Sequence, residues 1–207
     1  MNKATPYLIS LLLLSAMTSA AVPDDAKKVI PIEVNSKAPA FDAKEVDGRT
    51  FRFDPTNLKK PTMIIFYRGG WCPYCNAQLQ DLHIVEPQVV AMGYDVLFLS
   101  TDQPKLLYSS LKEKVDYHLL SESDMQAAHA FGVAFRMDST GVEKLKSDGV
   151  DLDATQGNDH HELPVPSVFI VDTHGVVRFR HFDPDYTVRL DAAHLLSAAK
   201  DAIAPNL

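Results

Sequence analysis

Apolar positions along this chain fall into short runs separated by proline, glycine and polar punctuation. Residues 62–67 (TMIIFY) lie between Pro61 and Gly69-Gly70, and their length and aromatic content predict a buried strand. Residues 94–100 (YDVLFLS) and 167–171 (SVFIV) read the same way. Between the first two, Leu79, Leu82, Val85, Val89 and Met92 recur at helical spacing, which predicts a helix over 72–92. Pro87 should kink or interrupt it, because a proline inside a helix lacks the N–H and clashes with the preceding turn. A second helix is expected over 104–115, with Pro104 in its first turn. A third is expected over 124–131, capped by Ser123 and stopped by Gly132. Residues 118–120 form a short strand between them.

The remaining elements follow from turn chemistry. Asp47-Gly48 joins two strand-like pieces within 41–53, a hairpin signal. Asp172-Thr173-His174-Gly175 is a turn, so 176–182 should return antiparallel to 167–171. A closing helix over 188–203 would turn Val188, Ala192, Leu195, Leu196, Ala199 and Ile203 inward. Alternating strands and helices predict an α/β fold: a mixed central sheet flanked by helices, with an N-terminal β-hairpin and an antiparallel edge. Two segments resist this pattern. Residues 22–40 read as an extended lead-in. Residues 136–162 are polar and glycine-punctuated, an insertion or long loop with one short helix at most, and loops of that length are usually functional.

Residues 1–21 have a different character. Lys3 precedes a leucine-rich run of about ten residues, and small residues follow through Ala20 and Ala21, the pattern of a secretory signal peptide. The run is too short for a membrane span, which needs roughly 20 residues. Cleavage after Ala20 or Ala21 removes the cation Lys3 and takes the net charge from −7 to −8. The expectation is a periplasmic or secreted protein with no stable membrane insertion after cleavage. Residues 41–207 are then a single domain, given the ordinary domain scale. With 20 basic against 27 acidic residues, the chain has no basic excess for neutralising phosphates, so nucleic acid is not an expected partner.

The chain has two cysteines, Cys72 and Cys75, and both stand in the tetrad Cys72-Pro73-Tyr74-Cys75. The tetrad follows a buried strand and opens a helix, the setting of a redox dithiol. Unpaired N–H groups and the dipole at a helix start favour thiolate, and thiolate is the nucleophile. Cys72, nearer the loop, should be the more exposed thiol. An inert disulfide is the alternative, but such staples usually close longer loops. No cofactor is called for, and no metal site is assigned. Far along the chain, Leu163-Pro164-Val165-Pro166-Ser167 leads into a buried strand. A cis peptide at Val165–Pro166 is one reason for a proline there; an ordinary trans proline at a strand start is the other.

FYRGGWCPYC, VPSVFIVDTHGVVRF and HLLSESDMQAAHAFGV together resemble the thioredoxin fold, and within it the AhpC/TSA peroxiredoxin-like family, over about 38–204. The resemblance implies a thiol oxidoreductase. It puts Pro166 in the cis-proline role beside the cysteines. In the peroxiredoxin alignment Cys75 takes the peroxidatic position and Cys72 replaces a threonine; in the thioredoxin alignment Cys72 is the attacking thiol. The family's late-strand arginine is missing at 165–167. Arg68, where the family has proline, is the candidate guanidinium. The buried acid of thioredoxins is likewise missing from 62–71.

Trp71 and Tyr74 flank the thiols and are candidates for a docking surface. Asp159-His160-His161-Glu162 precedes the proline segment. His161 or Glu162 could move protons for the thiols, or the segment is a solvated loop. Three functions follow as expectations. The first is an exported dithiol oxidoreductase, working through a mixed disulfide with a thiol or disulfide protein and an exported dithiol donor or acceptor. The second is a thiol peroxidase with Cys75 or Cys72 as the peroxidatic thiol. The third is a copper metallochaperone like the Sco-type proteins, although those space their cysteines by three residues and this chain by two.

Overall fold

A computed structural model describes residues 21–107 and 117–204. Strands β1 (Phe41–Glu45) and β2 (Thr50–Phe53) form the expected hairpin around Asp47-Gly48. Then come β3 (Thr62–Tyr67), helix α1 (Pro73–Ala91), β4 (Asp95–Ser100), helical residues α2 (Pro104–Leu107), β5 (His118–Ser121) and α3 (Gln126–Ala130). Strand β6 (Ala134–Arg136), helices α4 (Ser139–Ser147) and α5 (Leu152–Gln156), and strand β7 (Glu162–Pro164) follow. The chain closes with β8 (Ser167–Val171), β9 (Val177–Phe182) and α6 (Ala192–Ile203). The leader expected over the first 20 residues lies outside the described residues. So does most of the helix expected over 104–115.

Seven strands form one mixed sheet in the order β2-β1-β5-β4-β3-β8-β9. Strands β3, β4 and β5 run parallel; the flanking pairs are antiparallel. Alternation along β3 builds two cores. Ile64 and Phe66 point to one face, with Phe41, Phe53, Phe131 and Phe169. Phe131 and Phe169 meet there at 4.9 Å between ring centroids. Met63, Ile65 and Tyr67 point to the other face, where α1 contributes Leu82, Val85 and Val89 and α6 contributes Leu195 and Ala199. Each such buried aliphatic side chain contributes about 1.5–3 kcal/mol. The cysteines belong to this second face.

Several expectations need correcting. Pro87 lies inside α1 without ending it; the packed α1 face outweighs the one lost hydrogen bond. Helix α3 is not capped by Ser123. Its N-cap is Met125 in a left-handed conformation, and the buried Glu122 carboxylate accepts from the Ala128 amide at 2.9 Å. Helix α6 starts later than expected because Asp191 caps it, accepting from the His194 amide. Val188 and Ile203 are consequently 45% and 41% exposed rather than inward.

Residues 136–162 hold two helices rather than one. Asp138 caps α4, accepting from the Gly141 amide, and Asp151 caps α5, accepting from the Ala154 amide. Helix α4 buries none of its residues, so its sequence carried no apolar face to read. The antiparallel pair β6–β7 closes the base of the segment. The lead-in runs extended along the domain. Ile32 donates to Phe131 and Asn35 to Val177, while the Arg136 amide donates to Pro23.

Candidate active site

The loop after β3 is pinned from the neighbouring parallel strand. The Thr101 hydroxyl donates to the Arg68 carbonyl at 3.1 Å, and Asp102 accepts from the Gly70 amide at 2.6 Å. Gly69, at φ +152°, makes this close approach possible. A Cβ there would lie 2.3 Å from the Trp71 indole nitrogen and 2.8 Å from an Asp102 carboxylate oxygen. The Asn76 amide donates to the Gly70 carbonyl at 2.8 Å and closes the loop from α1. Cys72 is the N-cap of α1, extended at φ −87° and ψ 115°, and Pro73 opens the helix. A proline fits there because the first helical amide has no intrahelical acceptor.

Both thiols are reduced and both are buried. Cys72 is only 1% exposed and Cys75 0%, so the greater exposure expected of Cys72 is negligible. Exposure therefore does not separate their roles, but electrostatics does. The Cys75 thiol donates to the Cys72 sulfur, and this is the largest influence lowering Cys72, to about 6. Burial opposes it; the Cys75 amide and the guanidiniums of Arg68 and Arg189 reinforce it. Cys75 moves the opposite way, because its proton is shared with Cys72 and because it is buried. The two sulfurs therefore titrate as a coupled pair, with Cys72 pushed down and Cys75 pushed up.

Arg189 was not anticipated. It lies between β9 and α6, where its Nε donates to the Tyr186 carbonyl at 2.8 Å and Nη1 to Gln78 at 3.1 Å. Its Nη2 donates to Cys75 Sγ at 3.3 Å and reaches Cys72 Sγ at 3.9 Å. Asp102 was missed as well. Its carboxyl is raised by burial, against the opposing Gly70 amide. It lies just past the end of β4, and an acid at the carboxyl end of a buried parallel strand was a readable signal. Arg189 had no such signal: it sits in a polar stretch far from the motif and arrives only by packing.

The anticipated residues separate into two groups. Arg68 belongs to the site. It is 5% exposed, and its guanidinium lies 4.2 Å from the Tyr186 ring centroid and 5.1 Å from that of Trp71. Tyr74 is 45% exposed and meets Tyr186 edge-on at 5.7 Å. Pro166 is buried and lines a cavity together with Arg68 and Tyr186.

The Val165–Pro166 peptide is trans, as are all described peptides. Trans is the ordinary form of an X–Pro bond. The missing N–H costs nothing at this position, since the β3 ladder to β8 begins at Ser167. His161 and Glu162 are engaged elsewhere. His161 pairs with Asp153 at 2.7 Å. Glu162 holds Arg136 at 2.8 Å and also His129. Burial alone would raise Glu162, but Arg136 and His129 outweigh it and hold the carboxyl below its usual range. No group of three or more His, Cys, Asp or Glu side chains that could hold a metal forms among the described residues.

A mixed sheet flanked by helices, with a cysteine pair at a helix N-terminus, defines a thioredoxin-like fold carrying a dithiol. Residues 34–180 match the AhpC/TSA family, and the chain belongs to that family. It is 31% identical over 104 residues to Peroxiredoxin Bcp of Escherichia coli (strain K12), covering 50% of this chain and 66% of that one. The match therefore spans just under two thirds of that relative's length. It is 21% identical over 173 residues to Thiol-disulfide oxidoreductase ResA of Geobacillus thermodenitrificans (strain NG80-2), covering 83% of this chain and 82% of that one. Peroxidoxin BcpB from Mycobacterium tuberculosis shares the fold at a TM-score of 0.62 and 17% identity, over 85% of this chain and 99% of that one.

Proposed function

We propose that this protein is an exported dithiol oxidoreductase in which Cys72 attacks and Cys75 resolves. The observation that carries this reading is the dithiol at the start of α1: Cys72 is the N-cap, Cys75 lies one turn on, and both sulfurs face the Arg189 guanidinium, with Cys72 the one pushed down. The Cys72 thiolate attacks one sulfur of a substrate disulfide RS–SR. A Cys72–S–S–R bond forms, the S–S bond breaks, and RS⁻ leaves. Cys75 then attacks the Cys72 sulfur, and its proton goes to a leaving thiolate. With one further proton from water, the products are the Cys72–Cys75 disulfide and two RSH. An exported dithiol partner would return the electrons. The leader-like residues 1–21 support export.

The test is a pair of variants. Cys72→Ser should lower disulfide reduction by roughly a thousandfold or more. Cys75→Ser should complete one half-reaction and trap a mixed disulfide on Cys72, seen by mass spectrometry. Activity retained in Cys72→Ser would sink the assignment.

Arg189 favours a second reading. Its guanidinium faces both sulfurs and could hold a peroxide oxygen against the Cys72 thiolate. Attack would give a Cys72 sulfenic acid and an alcohol, and Cys75 would condense with it and release water. Stopped-flow oxidation of the reduced protein decides this: a rate no faster than that of free cysteine removes the peroxidase.

A further inference from the structure

Arg68 is a buried charge whose hydrogen bonding is incomplete. Its guanidinium is buried, yet no carboxylate pairs with it among the described residues, and its Nε has no hydrogen-bond partner. Stacking on Trp71 and Tyr186 holds the plane in place without neutralising it. Burying an unpaired charge is costly, so a ligand that completes it would gain accordingly. Arg68 also borders a cavity of about 540 Å³, a volume within the ordinary range for small-molecule sites. Phe135, Met137, Val165, Pro166 and Pro184 give this cavity apolar walls.

Three acids also line it, and each is engaged. Asp24 pairs with Lys28 at 2.6 Å. Asp25 accepts from the Lys27 amide at 2.9 Å, and Asp138 from the Gly141 amide at 2.7 Å. They leave Arg68 as the cavity's unmet donor. Neither cysteine lines the cavity, but Arg68 shares the loop before α1 with Cys72 and stacks on Trp71, the residue preceding Cys72, and the same guanidinium lowers Cys72 through space.

We propose that this cavity is the substrate subsite, and that its substrate class is a small disulfide whose carbon chain ends in a carboxylate. The carboxylate pairs with Arg68, the chain lies on the apolar walls, and the S–S bond reaches Cys72. Planar guanidinium and planar carboxylate match in a two-point hydrogen bond. This assignment rests on the dithiol reading for its chemistry, and the electron balance is that of the exchange written above. The binding claim stands apart from the chemistry and can be read separately.

The probes are 3,3′-dithiodipropionate, its uncharged diamide, and their sulfur-free counterparts suberate and suberamide. Trp71 is the single tryptophan and stacks on Arg68, so its fluorescence reports occupancy. Suberate should shift that fluorescence saturably in the wild-type protein and suberamide should not. The oxidation rate with the diacid, divided by that with the diamide, should exceed the same ratio for free cysteine. In Arg68→Gln it should fall roughly tenfold or more, the worth of a charge-assisted pair. The ratio cancels any change in thiolate content, and Arg68→Lys, which keeps the charge, should retain part of it.

No response to suberate, or an equal response to suberamide, overturns the subsite, and neither outcome needs a variant that folds. Suberate binding without oxidation by either disulfide would leave the subsite standing and refute the dithiol reading. Rapid oxidation by both disulfides at the free-cysteine ratio would do the reverse.

Discussion

Two of the places where the described residues bury charge treat it in opposite ways. At the base of residues 136–162, Glu162 is buried but fully partnered, with Arg136 and His129 on its two oxygens. Around the thiols, no carboxylate among the described residues pairs with Arg68, whose Nε has no hydrogen-bond partner, and Asp102 keeps one oxygen without a partner. Burial is similar in both, so burial does not mark the functional region. The difference is completion. A partnered buried carboxylate fastens two strands together, whereas an unpartnered guanidinium and a thiolate beside it are groups held ready for something else.

The contrast can be broken most sharply at the loop that keeps the second region incomplete. Gly69→Ala should cost about 2–3 kcal/mol, since the new Cβ would press on the Trp71 ring and on Asp102. A chemical melt and the Trp71 emission should both register it; an unchanged midpoint would mean the loop tolerates the crowding. Arg189→Gln comes next. Losing the guanidinium should raise Cys72, so the midpoint of iodoacetamide alkylation should climb from about 6 toward neutrality. Wild-type alkylation should fall as pH drops through that midpoint. At pH 6 the variant should react several-fold more slowly, and at pH 7 by about twofold at most. An unmoved profile would show that Arg189 does not act on the thiolate.

Two isosteric swaps compare the regions directly. Glu162→Gln should destabilise by about 1–2 kcal/mol while leaving thiol reactivity unchanged. Because the folded carboxyl is lowered, its contribution is present above the ordinary carboxylate range and disappears as pH falls through the folded value. The gap between wild type and variant should therefore close in acid. Asp102→Asn should have the smallest effect and the opposite sign. Its carboxyl is raised, so ionisation opposes folding at neutral pH. Asparagine still offers an oxygen to the Gly70 amide, and stability should hold or rise by up to about 1 kcal/mol. A loss as large as that of Glu162→Gln would erase the distinction between the two regions.

The sheet was readable because its central strands are buried on both faces and appear as unbroken apolar runs at 62–67 and 167–171. The dithiol was readable because local chemistry puts it at a helix start. Helix α4 escaped because it packs nothing inward, and its start is signalled by a capping aspartate. Met125 escaped because a left-handed methionine has no sequence signature. The site itself was legible only along its own segment. Arg68, Trp71, Tyr74 and the cysteines are contiguous, whereas Arg189 and Tyr186 come from more than a hundred residues away. His161 and Glu162 were misjudged for the converse reason: nearness to the proline segment in sequence did not make them neighbours of the thiols. The trans Pro166 shows the same limit, since a proline before a strand is compatible with either isomer.

The burial of both sulfurs has one more consequence. Tyr74 and Tyr186 stay partly exposed at the site while neither cysteine reaches the surface. On the proposed dithiol chemistry, admission would decide which molecules exchange electrons with this pair: a strongly oxidising disulfide of the wrong shape would wait outside while a weaker one that fits is reduced.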